Sequence, residues 1–313
     1  MTRPPAQPPL ASFTEPETVP PRRGRRRPYR WAWDLGGLLV PVLLWELYKL
    51  LGPENGVRVG PVPVLPRTTD LAMPHVWEMV LRLLEPTTGT STAAPLWQDV
   101  ASAVLFSLGI VAVGWLVGVL LGLALALLMQ RFRPAKSAVL PWVVLSQTVP
   151  LIAIAPLVRR WGAQVHLGPL EWQNWMSVAL IAAYLAFFPV AVGALRGLES
   201  PDAHHLDLMR TLGLGWWRIL LHLRLPASVP YLIPSLRLAA SSAVVGTVVA
   251  EVSIGLRGGV GRMIVEFAAS TGGDPAKPWA PIFGAVLLGL IAVGAVGLIG
   301  HLLRRYRRGE ISS

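Results

Sequence analysis

The chain has 313 residues, of which 53% are hydrophobic and only 14% charged, and its mean hydropathy is +0.53. Soluble domains carry about 25% charged residues, so the deficit points to lipid as the surrounding solvent. The formal charge of +11 does not indicate nucleic acid, because the basic residues cluster at the ends of apolar segments, and the lack of cysteine excludes disulfides, thiolate metal sites and cysteine catalysis.

Residues 1–30 form a separate compositional block. Eight prolines within 1–28 and no apolar periodicity predict a disordered tail. The run Arg22-Arg23-Gly24-Arg25-Arg26-Arg27 then abuts the first apolar segment. A signal peptide also starts with a basic region, but Glu46 and Lys49 interrupt the apolar stretch and no small-x-small cleavage site follows. The expectation is a retained cytoplasmic tail whose arginines set topology or grip anionic lipid.

Six apolar segments follow, near 34–51, 100–130, 137–158, 172–195, 231–253 and 278–303. A helix needs about 20 residues to cross the hydrocarbon, and backbone groups there must bond internally, so an all-α, polytopic membrane protein with six transmembrane helices is predicted. The chain divides into the tail at 1–30, a first helix and extracytoplasmic segment at 31–98, a helical core at 99–304 and a short tail at 305–313. The second span carries Gly114, Gly118, Gly122 and Ala126 at four-residue spacing. That ridge admits a close helix neighbour, either within the protomer or across a dimer.

Pro141, Pro150 and Pro156 interrupt the third segment, with Ser146, Gln147 and Thr148 just before Pro150. Proline removes a backbone donor, and the carbonyl it frees must find a partner in protein or in a wet cavity. The polar trio either lines a pathway or repairs the broken backbone locally. Arg159 and Arg160 end this segment; they attract an anionic substrate or the acidic rim of a partner, or they snorkel to headgroups.

Between the fourth and fifth segments lies a polar stretch marked by Gly and Pro. Ser200 suits an N-cap, Pro201 a first helical position and Gly213 a left-handed helix end. The spacing predicts a helix over 201–212, a turn at 213–215 and a second helix over 216–223, after which Pro226, Pro230 and Pro234 lead back to the membrane. The fifth segment contains Arg237 and Glu251, costly in lipid and expected to face protein or water. A structural tether fits Arg237; a gate or a packing contact fits Glu251.

Lys and Arg placement gives the orientation. The N-tail, 130–138, 196–230 and the C-tail together hold 18, against nine on the opposite side. Both termini and the 196–230 stretch are therefore expected in the cytosol.

The polar stretch resembles the "EAA" loop of ATP-binding-cassette importer permeases. Gly213, Leu225 and Pro226 fall on the family spacing, Asp207 stands for its Glu, Leu208 and Met209 for its two alanines, and Leu223 for its Ile. The resemblance extends through Val64-Leu65-Pro66, the glycine-rich second span from Ser107, Pro150 with Pro156 and Leu157, the stretch from Leu225 to Glu251, and Gly258-Gly259-Val260-Gly261. It is nearest to the nitrate, sulfonate and taurine subgroup, which includes thiamine-precursor permeases. Asp-Leu-Met for Glu-Ala-Ala, Pro234, and the Arg pair before Trp161-Gly162 depart from the pattern.

The resemblance implies a plasma (inner) membrane permease subunit of an ATP-driven importer for a small solute, which the Arg pair would suit to an anion. It further implies coupling through residues 199–226 to two copies of a cytosolic ATPase, an extracytoplasmic substrate-binding protein and a homodimer of the permease in lipid. The alternative is an ion-gradient-driven secondary transporter, which would show inverted repeats with paired broken helices. Catalysis on this chain is not expected. Ala135-Lys136-Ser137 lacks the glycines of a phosphate-binding loop, the histidines show no ligand spacing, and no cofactor or metal is implied.

Overall fold

In the computed structural model the described residues are 30–59, 62–88, 94–167, 170–269 and 273–302. The expectations for the 1–28 tail and for the C-terminal tail at 305–313 lie outside them. The elements run α1 (Arg30–Leu51), β1 (Val57–Val59), β2 (Val62–Leu65), α2 (Val76–Leu81), α3 (Leu96–Arg131), α4 (Arg133–Ser146), α5 (Leu151–Gly162), β3 (His166–Leu167), β4 (Leu170–Glu171), α6 (Asn174–Leu198), α7 (Ala203–Thr211), α8 (Trp216–Ile219), α9 (Leu225–Ile254), α10 (Val260–Ala269) and α11 (Trp279–Leu302). The strands form two small antiparallel hairpins.

Among the described residues four helices are long and apolar enough to cross a membrane: α3, α6, α11, and a continuous rod from Trp216 to Ile254 made of α8, a π-helical turn at Leu220–Arg224, and α9. The pair α4–α5 qualifies as a fifth span if counted together, bent by 102° at its break. The first of the six expected segments forms helix α1, with Glu46 and Lys49 in its last two turns. Its polar residues hold it in place. Glu46 Oε2 meets His75 Nδ1 at 2.8 Å, its Oε1 accepts from Val76 N at 2.8 Å, and Lys49 Nζ reaches Asp70 at 2.7 Å. The Lys49 ammonium holds the Asp70 carboxyl below its ordinary range. Leu39, Leu43, Leu44, Leu47 and Leu50 on the same helix stay exposed in this single chain.

The core is a three-helix slab in which α6 lies between α3 and α9. The second-span ridge packs within the protomer, which the sequence left open. A Cβ at Gly114 would stand 2.5 Å from Ala182 Cβ, at Gly118 2.6 Å from Ala186 Cβ, and at Gly122 2.7 Å from the Phe187 carbonyl oxygen. Ala126 continues the seam and is fully buried. Small residues let the two backbones approach, so dispersion acts along the whole contact.

Gly118→Val is expected to pry α3 from α6 and cost about 1–3 kcal/mol or more, seen as a lower unfolding temperature in detergent. Gly109 faces open space in the same helix, so Gly109→Ala should hold or raise that temperature, because Gly costs about 1 kcal/mol against Ala in a helix.

Candidate functional site

The 199–226 stretch folds as an outward-projecting hairpin between α6 and α9. Helix α7 starts two residues later than expected, at Ala203, and buries none of its residues. Its end is a complete Schellman closure: Gly213 N donates to Arg210 O at 2.9 Å and Leu214 N to Met209 O at 3.1 Å. Gly213 has φ 72° with nothing within 4 Å of a would-be Cβ, so backbone conformation and not packing selects glycine there. Asp207 pairs with Arg210 at 3.1 Å on the exposed face. Leu208, Leu212 and Trp217 stand in solvent at 58%, 67% and 68% exposure, an apolar knob with no cover from its own chain.

The returning limb differs from the expectation. The predicted second helix does not end before the prolines: α8 continues through the π-helical turn Leu220–Arg224 into α9, and Pro230 and Pro234 sit inside that helix. Leu223 belongs to the π-helical turn, and Leu225 and Pro226 open α9. Widening the turn accommodates the missing proline donor without a break. The base is bolted to the core. Arg224 Nη1 donates to Leu198 O at 2.7 Å, Lys136 Nζ binds Glu199 at 2.7 Å, and Trp216 Nε1 donates to Gln130 Oε1 at 3.2 Å.

At the other break, Pro150 alone interrupts the helix, while Pro141 and Pro156 lie inside α4 and α5. Pro150 has no N–H to give the Ser146 carbonyl, four residues back; the Tyr184 hydroxyl of α6 donates to it instead. Ser146 Oγ and Thr148 Oγ1 donate to the carbonyls of Val143 and Leu145, each at 2.8 Å, and Gln147 Nε2 to Ser146 Oγ at 3.3 Å. These contacts fit local backbone repair. Beside the break, a recess of about 290 Å³ between α3, α5 and α6 is lined by apolar surface, Val117, Leu121, Ile154, Val158 and Phe187 among it.

The structure separates the two arginines. Arg159 Nη1 donates to Ile254 O at 2.9 Å and its Nε to Asn174 Oδ1 at 3.2 Å, so it caps the C-terminus of α9 and holds the start of α6. A cation at a helix C-terminus is favoured by the helix dipole. Arg160 is exposed, and no hydrogen bond or ion pair is found for it among the described residues. Both line a recess of about 220 Å³ with Pro156, Ala163, Ser253 and Ile254.

Glu251 is fully buried. Its Oε1 accepts from Ser107 Oγ at 2.6 Å and its Oε2 from Gly261 N at 2.8 Å, while Val260 N donates to Ser107 Oγ at 3.0 Å. Arg237 packs over Gly297 of α11, not onto the hairpin as a tether. Sequence reasoning did not single out Tyr184 or the role of Ser107. Each partners a group far away in sequence, Ser107 at 144 positions and Tyr184 at 38. Among the described residues no group of three His, Asp or Glu could share a metal ion.

The arginine geometry sets an expected asymmetry. Arg159→Gln should lower stability by about 1–2 kcal/mol through its two lost hydrogen bonds, whereas Arg160→Gln should stay within about 0.5 kcal/mol, as for a surface change. Parallel thermal unfolding of the two variants in detergent checks it.

The chain is 29% identical over 276 residues to the formylaminopyrimidine transport permease protein ThiX of Halalkalibacterium halodurans, covering 87% of this chain and 94% of that one. It is 27% identical over 294 residues to the putative aliphatic sulfonates transport permease protein SsuC of Bacillus subtilis, covering 94% of each. Its fold resembles a solved bacterial ABC transporter involved in the import of the acidic polysaccharide alginate, with a TM-score of 0.50 and 15% identity over 87% of this chain and 96% of that one. Residues 118–308, from the glycine seam of α3 through the hairpin and α9 to the end of α11, match the family described as binding-protein-dependent transport system inner membrane component, and the chain belongs to that family.

Proposed function

We propose that this importer permease subunit is driven by a separate ATPase that grips the 199–226 hairpin. The observation that carries this reading is the apolar knob of Leu208, Leu212 and Trp217, exposed at the tip of a hairpin whose base is fixed by Arg224 and Lys136. A hairpin that served only as a linker would have no need of uncovered leucine and tryptophan on a rigid mount. Asp207, Leu208, Met209 and Gly213 form its first limb, and Leu223, Leu225 and Pro226 join it to α9.

In this reading the chain crosses the membrane six times, with α1 and the α4–α5 pair as spans beside the four long helices. It works as a homodimer with two ATPase subunits in the cytosol and a substrate-binding protein outside. Residues 31–98 are its first helix and extracytoplasmic segment, and 99–304 its permease core. The 18-to-nine Lys and Arg asymmetry supports cytosolic termini and a cytosolic hairpin. The solute is small; Arg160, exposed near the outer end of α5 and without a partner among the described residues, suits an anion. The polar trio Ser146, Gln147 and Thr148 at Pro150 supports a pathway element held in shape by its own hydrogen bonds. An ion-gradient mechanism built on paired broken helices has less support, since the described residues contain one bent pair.

Two experiments test the reading. Gly213→Val should abolish ATP-driven uptake while the protein reaches the membrane, because a β-branched residue tolerates positive φ poorly; Gly213→Asn should keep most of it, because Asn enters the left-handed region more readily. Equal uptake by both would reject the hairpin as the coupling element. A cysteine at position 207, the chain's only one, should resist impermeant maleimide applied to intact cells; rapid labelling from outside would invert the topology.

A further inference from the structure

Helix α10 has no side-chain cap of its own. Gly258 and Gly259 precede it, neither bearing a side-chain acceptor, and the first N–H groups of any helix lack intrahelical partners. Two of these groups are met from other helices: Val260 N by Ser107 of α3 and Gly261 N by Glu251 of α9. Ser107 in turn donates to Glu251, so three helices close on one buried hydroxyl–carboxyl pair. Steric fit supports the arrangement. A Cβ at Gly259 would lie 2.3 Å from Glu251 Cδ, and one at Gly261 would lie 2.4 Å from the Val248 carbonyl oxygen. On the other side of the same elbow, Arg159 of the broken helix holds the Ile254 carbonyl.

We infer that Glu251 and Ser107 are positioning residues that cap α10 in trans and thereby fix the α9–α10 elbow as the closed outer end of the permease. Glu251 acts through the hydrogen bonds its oxygens accept, not as a carrier of an ion or a proton. The placement of the elbow on the outer side rests on the proposed orientation; the cap itself does not.

Chemistry separates the variants. Glu251→Met keeps the length and removes both acceptors, leaving the Gly261 N–H and the Ser107 hydroxyl proton without partners. Glu251→Gln keeps one acceptor for Gly261 N–H and turns its amide NH₂ toward Ser107 Oγ, which still accepts from Val260 N–H. Ser107→Ala leaves the Glu251 side chain in place but strands Val260 N–H and removes the donor to Glu251 Oε1.

The reporter is Val260→Cys, at a side chain that is fully buried in the wild-type chain. Maleimide labelling at position 260 is followed on the full-length protein in its membrane, with permeant and impermeant reagents. Leaving a buried donor unpaired should raise the labelling rate about tenfold or more in Glu251→Met and Ser107→Ala, and less than about threefold in Glu251→Gln. ATP-driven uptake should fall with the same ranking. Glu251→Gln as damaging as Glu251→Met in uptake, with position 260 still closed, would overturn the cap and assign Glu251 a role for its charge. Unchanged labelling in both Glu251→Met and Ser107→Ala would also overturn it. If Glu251→Met does not reach the membrane, Ser107→Ala decides alone. Access by the impermeant reagent from the cytosolic side only would defeat the proposed orientation, while the ranking with the permeant reagent would still judge the cap.

Discussion

Everything in this protein is referred to the close contact of α3 with α6. Lipid offers no hydrophobic drive for two apolar helices to associate, so their contact depends on fit. Gly114, Gly118 and Gly122 provide the fit by letting α3 rest on the backbone of α6 at Ala182, Ala186 and Phe187. With α6 so enclosed on one face, its other face takes α9, where Gly246 lies 3.1 Å by its would-be Cβ from the Ala182 Cα. The slab then presents fixed points: Tyr184 for the broken helix, Leu198 for the hairpin base, and Ser107 for the elbow.

Helix α9 connects the two ends of the molecule. It begins at the hairpin and ends at Ile254, and 30 residues at about 1.5 Å each give a rod of about 45 Å. Its lower end continues through the π-helical turn into α8, so the limb that carries Trp217 is continuous with the rod, while Leu208 and Leu212 stand across the turn at 213–215. Its upper end is held by Arg159 from α5 and by Ser107 from α3. Under the proposed coupling, a displacement of the hairpin would pass along this stiff element to the elbow and to the broken helix. Polar contacts govern the ends of this path, where water or protein donors are available. The middle is packed by alanine, valine and glycine, whose fit transmits strain without needing partners.

The membrane class, five of the helical segments to within a few residues, the position of the hairpin and the break at the third segment were legible in the residues alone. Apolar run length, proline and a glycine at a helix end are local signals, and lipid permits few other backbone solutions. Local reading failed where a remote group repaired a local defect. Pro226, Pro230 and Pro234, expected to lead the chain back to the membrane, lie in or at the start of α9, directly after the π-helical turn at Leu220–Arg224. Arg159 and Arg160 are adjacent and chemically identical in sequence, yet one caps α9 and the other is exposed, with no partner among the described residues.

By itself the sequence determined that the chain lives in lipid, where its long apolar runs lie, and that Gly213 must turn a hairpin, since each follows from chemistry within a window of tens of residues. Only the tertiary structure decided that the glycine ridge faces α6 within one protomer, that Tyr184 satisfies Ser146, and that Glu251 serves α10 through Ser107. These are contacts between residues 38 and 144 positions apart, or across equally matched apolar faces. Their energies depend on distance and direction in space, which the order of residues along the chain does not specify.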